Sequence, residues 1–208
     1  MRKANVKRES TETKISIEVN LDGTGKSTIS TGIGFFDHML TALSKYSKID
    51  MKIQAKGDLE IGTHHTIEDV GMVLGTSILK ALGDKRGINR AGFFKYVMDD
   101  ALVEAEAVLD ISGRGRLIFE DREGKELKYS TEKVGVKDSE IASEDIKEFF
   151  WALASTMKSN ISICLFRKGN AHHEVEATFK AFGKALRIAI EQDPRSKGDI
   201  PSTKGVID

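Results

Sequence analysis

One stretch of this chain occurs twice. Thr63-His64-His65-Thr66-Ile67-Glu68-Asp69 returns 108 residues later as Ala171-His172-His173-Glu174-Val175-Glu176-Ala177. Both copies read His-His-x-x-Glu, and a glycine follows at the same offset in each, Gly75 and Gly183. Two copies are too few for a solenoid array. The repeat therefore calls for one fold made of two similar halves, and 208 residues suffice for two small halves around a shared core.

The order of elements repeats as well. Ile15, Ile17 and Val19 share one face of a strand over 11–19. Asp22-Gly23-Thr24-Gly25 is a turn, and Lys26 to Thr31 a returning strand. Phe35 to Leu43 has helical spacing, Asp50 to Gln54 reads as a strand, and the first histidine pair opens a helix that Gly83 ends. In the second half Ala101 to Ile111 and Arg116 to Glu120 are strands around the turn Ser112-Gly113-Arg114-Gly115. Residues 121–143 are charged and weakly patterned, a loop with short strands. Then come a helix (Ile146 to Ser155), a strand (Ile161 to Phe166) and the second histidine helix, to about Gln192. Each half reads strand, strand, helix, strand, helix. This predicts an α+β fold of internally duplicated half-domains, each a mixed sheet with helices on one face, the helix layers packed together. The expected division is a single domain with halves at about 1–95 and 96–193 and a tail, 194–208.

The histidines limit the chemistry. Positions i and i+4 share a helix face, so His64 can act with Glu68, and His172 with Glu176. The neighbours His65 and His173 are turned away by about 100° and would serve a different ion, or the same ion from another side. His38, the fifth histidine, lies 26 residues before His64, and Glu148 lies 24 before His172 on the corresponding helix. The candidate ligand set is His38, His64, His65, Glu68, Glu148, His172, His173 and Glu176. Imidazole and carboxylate without thiolate favour Mn, Fe, Co, Ni or Zn over Ca or Mg.

Other functions are disfavoured. Lys plus Arg and Asp plus Glu both number 32, so no global charge points to nucleic acid or a membrane surface. No apolar run approaches the roughly 20 residues of a membrane span. The first seven residues lack the apolar stretch of a signal peptide. Cys164 is the single cysteine, so no internal disulfide forms, and a cytoplasmic location is expected. Arg90, Arg114, Ser202 and Lys204 are candidates for a phosphate, through arginine forks, a lysine charge and a hydroxyl beside glycines. Gly23-Thr24-Gly25-Lys26-Ser27 hints at a phosphate loop, but Asn20 stands where the leading glycine is required, and a turn is the better reading. Glu12 falls on the solvated parity of its strand.

These residues, taken in order, resemble imidazoleglycerol-phosphate dehydratase. The likeness is carried by Leu21-Asp22-Gly23-Thr24-Gly25, Gly34-Phe35-Phe36-Asp37-His38-Met39-Leu40, His64-His65-Thr66-Ile67-Glu68-Asp69, Gly87-Ile88-Asn89-Arg90, Ser112-Gly113-Arg114, Phe179-Lys180-Ala181-Phe182 and Ile200-Pro201-Ser202-Thr203-Lys204-Gly205. The resemblance implies a ribosomal protein S5 domain 2-like fold and two divalent metal ions per site, Mn2+. It implies dehydration of imidazole glycerol phosphate to imidazole acetol phosphate, in a 24-subunit shell of trimers with sites between subunits. By the same resemblance Arg90, Arg114, Ser202 and Lys204 bind phosphate and Glu12 contacts substrate. Glu12, Glu176 and Glu68 are the carboxylates offered for catalysis. Glu148 stands where the family usually has histidine. Two other readings fit a paired-metal site: a phosphate-ester hydrolase, which releases phosphate, and a metal-storage oligomer, which has no use for Arg90 and Lys204.

Overall fold

The computed structural model describes residues 1–98, 103–135, 139–196 and 198–207, with backbone alone for 103–106. The first half holds β1 (Lys3–Glu9), β2 (Thr13–Asn20), β3 (Ser27–Ser30), α1 (Gly34–Ser47), β4 (Asp50–Gly57) and α2 (His64–Leu82). The second holds β5 (Ala91–Met98), β6 (Val103–Asp110), β7 (Arg116–Asp121), the short pair β8 (Lys133–Val134) and β9 (Ile141–Ala142), α3 (Ser143–Met157), β10 (Asn160–Arg167) and α4 (Ala171–Ile190). The sheet orders are β1-β2-β4-β3 and β5-β6-β10-β7, the same path taken twice. The α+β duplication expected from the sequence is therefore present.

Three expectations change. The strand after each turn does not come back beside its predecessor. β3 pairs in parallel with β4, and β7 in parallel with β10, so β4 and β10 are inserted into what would have been hairpins. Each half also has an extra leading strand, β1 or β5, at a sheet edge. Because β5 pairs with β6 along its length, the expected division near residues 95 and 96 falls inside a strand. The halves meet in the loop between α2 and β5 instead.

Asp50 explains the first change. It opens β4, and its Oδ1 accepts the amide N–H groups of Thr24 (2.8 Å) and Lys26 (2.9 Å). The Gly23–Lys26 loop thus wraps a carboxylate of its own chain, and its amides are not open to a phosphate. The Lys26 amide bond, with that of Thr24, lowers the Asp50 pKa against the opposing effect of burial. A lowered folded pKa gives stability that is present above the unfolded value and lost as pH falls through the folded one. Asp50→Ala is expected to cost roughly 1–2 kcal/mol at neutral pH. In urea melts the gap from wild type should narrow below about pH 4, where the carboxylate also protonates in the parent. A gap that persists unchanged to lower pH would count against this account.

The core lies between the two sheets and the helices. Ile15, Ile17 and Val19 of β2 point inward as the alternation required. Across the helix layer, α1 packs on α4 and α2 on α3, so the two main helix–helix contacts each join one half to the other. An aromatic knot sits at the junction. Phe36, Phe149, Phe150, Phe179 and Phe182 are fully buried. The Phe149 and Phe179 rings stack at 5.3 Å, and Phe36 meets Phe149 edge-on at 5.5 Å. Each such ring stabilises the fold by roughly 1.5–3 kcal/mol through burial.

Candidate active site

Cross-half helix packing assembles the histidines. His38 rides on α1, while His172 and Glu176 ride on α4. His38 Nε2 is 3.5 Å and His172 Nε2 3.3 Å from the same oxygen, Glu176 Oε2. One ligand atom from each of the three lies within 4.8 Å of the others, and this is the group of three potential metal ligands found among the described residues. Donors bound to one first-row ion at about 2.1 Å lie roughly 3–4 Å apart, so this set fits a divalent cation with little adjustment.

The backbone around each of these residues is tied down. Asn170 caps α4, its Oδ1 accepting the His172 N–H at 2.9 Å. Glu174, fully buried, accepts the amide N–H groups of Gly169 (2.7 Å) and Ser130 (2.8 Å), fixing the same helix start to the loop before β8. At the head of α1, Asp37 Oδ1 accepts the Thr31 N–H at 2.9 Å and its hydroxyl at 2.6 Å. The Phe35 ring meets His172 edge-on at 5.1 Å.

Lys180, one turn after Glu176, was missed as a site residue. Its Nζ is 2.8 Å from Glu176 Oε1, and both side chains are nearly buried. Burial would raise the Glu176 pKa, but the hydrogen bond and charge of Lys180, with a smaller effect from His38, bring it below the ordinary range. Glu176 is thus held as a carboxylate, one oxygen on Lys180 and the other toward two imidazoles. The i,i+4 spacing was available as a signal.

The second cluster is built on α2 and α3. His64 Nε2 is 3.5 Å from Glu68 Oε2, as the helical spacing required. On its other side, His64 Nδ1 is 3.6 Å from Asp145 Oδ1. Asp145, a residue the sequence reading did not single out, comes from the opposite half and is nearly fully buried. Glu148 is half-buried three residues further on, on the same face of α3.

The second members of the pairs point elsewhere. The His64 and His65 rings are 67° apart in plane, and those of His172 and His173 are 86° apart. His65 Nδ1 is 3.0 Å from Asp58 Oδ2, which raises the His65 pKa; burial opposes this and the charge of Glu12 adds to it. Glu12 itself is exposed in the bend between β1 and β2, just before the strand on which it was expected. It shares a shallow depression with Asp58 and Lys56.

Two of the phosphate candidates, Arg90 and Ser202, meet at the far end of α4. Arg90 has φ +69, an uncommon value outside glycine, held because its N–H donates to Ala189 O (2.9 Å) and its carbonyl accepts the Ile111 N–H (3.0 Å). Its guanidinium forks onto Asp110, at 2.7 and 3.2 Å, and donates to Pro201 O at 2.8 Å. Ser202 therefore lies beside Arg90, while Arg114 and Lys204 are exposed. The tail is anchored here by Gly87 N–H to Asp199 O and by Lys85 Nζ to Ile207 O.

Fold and site together define a duplicated α+β protein that gathers histidine–carboxylate clusters by packing helices of one half on helices of the other. The sequence profile of imidazoleglycerol-phosphate dehydratase matches residues 31–186. The chain is 49% identical to the imidazoleglycerol-phosphate dehydratase of Acidiphilium cryptum over 99% of both proteins. It is 47% identical to that of Cereibacter sphaeroides (strain KD131) over the whole of both. The crystal structure of the Staphylococcus aureus enzyme superposes with a TM-score of 0.77 at 36% identity, over 91% of this chain and 99% of that one. Pyrococcus furiosus IGPD gives 0.76 at 33%, over 97% and 99%. The chain belongs to the imidazoleglycerol-phosphate dehydratase family and is a lyase. Among the described residues no helix is long and apolar enough to cross a membrane.

Proposed function

We propose that this chain dehydrates imidazole glycerol phosphate to imidazole acetol phosphate in histidine biosynthesis, with two divalent metal ions, Mn2+, at each site. The observation that supports metal dependence is the convergence of His38, His172 and Glu176 on one point. These three would hold one ion, and His64, Glu68 and Glu148 another, with His65 and His173 as ligands in sites shared between copies. When bound, the ions supply Lewis-acid stabilisation of negative charge on the imidazole ring. The rest falls to side chains. The substrate loses its C3 hydroxyl as water and its C2 hydrogen as a proton, and the resulting enol becomes the ketone with the phosphate ester intact. Glu176 is held ionised by Lys180 and serves as a ligand, as does Glu68. Glu12, exposed beside His65, carries the proton transfers. Arg90, Arg114, Ser202 and Lys204 take the phosphate. We place the enzyme in the cytoplasm on the family's biosynthetic role.

Dimensions favour sites between subunits; the 24-subunit shell of trimers follows from the family resemblance. His172 and Ala189, which holds Arg90, are 17 residues apart on one helix, a distance of about 25 Å. The substrate is at most about 10 Å long from ordinary bond lengths. That gap favours the reading in which the imidazole and phosphate ends are served by different copies.

Two experiments test this. The purified chain with Mn2+ should form imidazole acetol phosphate; release of inorganic phosphate instead would select the hydrolase reading. His172→Ala and Arg90→Ala, each expected to be nearly inactive alone, should regain activity when dissociated and reassembled together. Mixed particles no more active than the separate variants would rule out shared sites.

A further inference from the structure

The two halves orient their first histidines by different means. Aligned through their left-handed caps, Lys48 and Lys158, α1 and α3 put Phe35 and Asp145 at equivalent positions. Phe35 meets His172 edge-on, whereas Asp145 puts a carboxylate 3.6 Å from His64 Nδ1. Asp145 is not free to turn away. It is nearly fully buried, and its Oδ2 accepts the Thr63 hydroxyl at 2.5 Å. Thr63 occupies the N-cap of α2, yet its hydroxyl makes no cap hydrogen bond to its own helix. That hydroxyl is given to the opposite half instead.

We propose that Asp145, fixed by Thr63, is a positioning residue that holds His64 with its proton on Nδ1 and its Nε2 lone pair turned toward Glu68. A carboxylate next to Nδ1 attracts an N–H there, and a divalent ion held between Nε2 and Glu68 would take up the lone pair of the other nitrogen, so the two together select the tautomer. The other nitrogen is the one 3.5 Å from Glu68 Oε2. Carboxylates that accept such an N–H orient metal-binding imidazoles and raise their basicity, and a shift of a few tenths of an ångström brings Asp145 into that range. Among the described residues no carboxylate is paired with Nδ1 of His172 in the other cluster. There the charged neighbour is Lys180, on the carboxylate rather than the imidazole. The two clusters are thus electrostatically unlike despite their shared origin. The inference rests on the metal-dependent reading above.

The test is Mn2+ binding to the intact assembly, followed by the electron paramagnetic resonance signal of free Mn2+. Wild type should take up two ions per chain. Asp145→Asn should weaken one of the two binding steps about tenfold or more and leave the other in place. Thr63→Val should weaken the same step, and Thr63→Ser, which keeps the hydroxyl, should restore it. A merely structural role would not separate valine from serine in one step of two. Unchanged affinities in both Asp145→Asn and Thr63→Val would overturn the assignment while leaving the metal-dependent reading intact. A wild-type assembly that takes up no Mn2+ would overturn both.

Discussion

Glu176→Gln is expected to lower kcat/KM by about a thousandfold while leaving the fold in place. Glutamine keeps the shape but removes the charge that faces His38 and His172 from one oxygen and Lys180 from the other. A bound divalent ion provides several kcal/mol of charge stabilisation in reactions of this type. Losing about 4 kcal/mol of it corresponds to the stated factor. The substitution also leaves Lys180 without its carboxylate, although its Nζ still lies 5.4–5.5 Å from the Tyr46 and Tyr96 rings, which keep part of its stabilisation. A modest fall in melting temperature should therefore accompany a large fall in turnover. Measuring retained Mn2+ alongside activity separates two roles. Loss of both marks Glu176 as a ligand. Loss of activity with full metal content would make it the proton carrier instead, and Glu12 would lose that role.

Much of this arrangement could be read from the sequence because helical spacing is local. The His64–Glu68 and His172–Glu176 pairs follow from i,i+4 geometry, and the duplication raised His38 from an isolated residue to a member of the set. The edge strands were not legible. In β1, Ala4 and Val6 are the inward residues of a largely charged segment, and both are only half-buried. β5 fails in the opposite sense, since Phe93 and Val97 are exposed while Phe94, Tyr96 and Met98 are half-buried, so apolar residues fall on both faces. An edge strand with one partner does not need the strong alternation that marks β2. Strand order was hidden for a different reason. The turn at Asp22-Gly23-Thr24-Gly25 has hairpin composition, and only Asp50, 24 residues after Lys26, shows that its amides bind a strand yet to come. Asp145 escaped notice because nothing local links it to His64, 81 residues away. Its role exists only once α3 lies on α2.

The glycines repeated after each histidine pair are where that packing is set, and substitutions there should divide sharply. A Cβ on Gly75 would fall 2.7 Å from Leu153 O and 2.9 Å from Met157 N, with the Thr156 hydroxyl closer still. Two of these atoms are α3 backbone and cannot turn aside, so Gly75→Val must push α2 and α3 apart. Overpacking of this kind costs about 1–3 kcal/mol and sometimes more. The shift would also carry His64 and Glu68 away from Asp145, so metal uptake should fall with stability. Gly183 crosses α1 with more room, its Cβ reaching Tyr46 Cβ at 3.0 Å, Leu43 O at 3.1 Å and Ser47 N at 3.2 Å. A shift of a few tenths of an ångström admits one methyl group. Alanine also gains about 1 kcal/mol over glycine within a helix. Gly183→Ala should therefore unfold within about 1 kcal/mol of wild type, while Gly75→Val unfolds at clearly lower urea and binds less Mn2+. Equal midpoints for the two variants would mean that the repeated glycines do not set the helix spacing. The duplicated pattern would then be explained by the histidines alone.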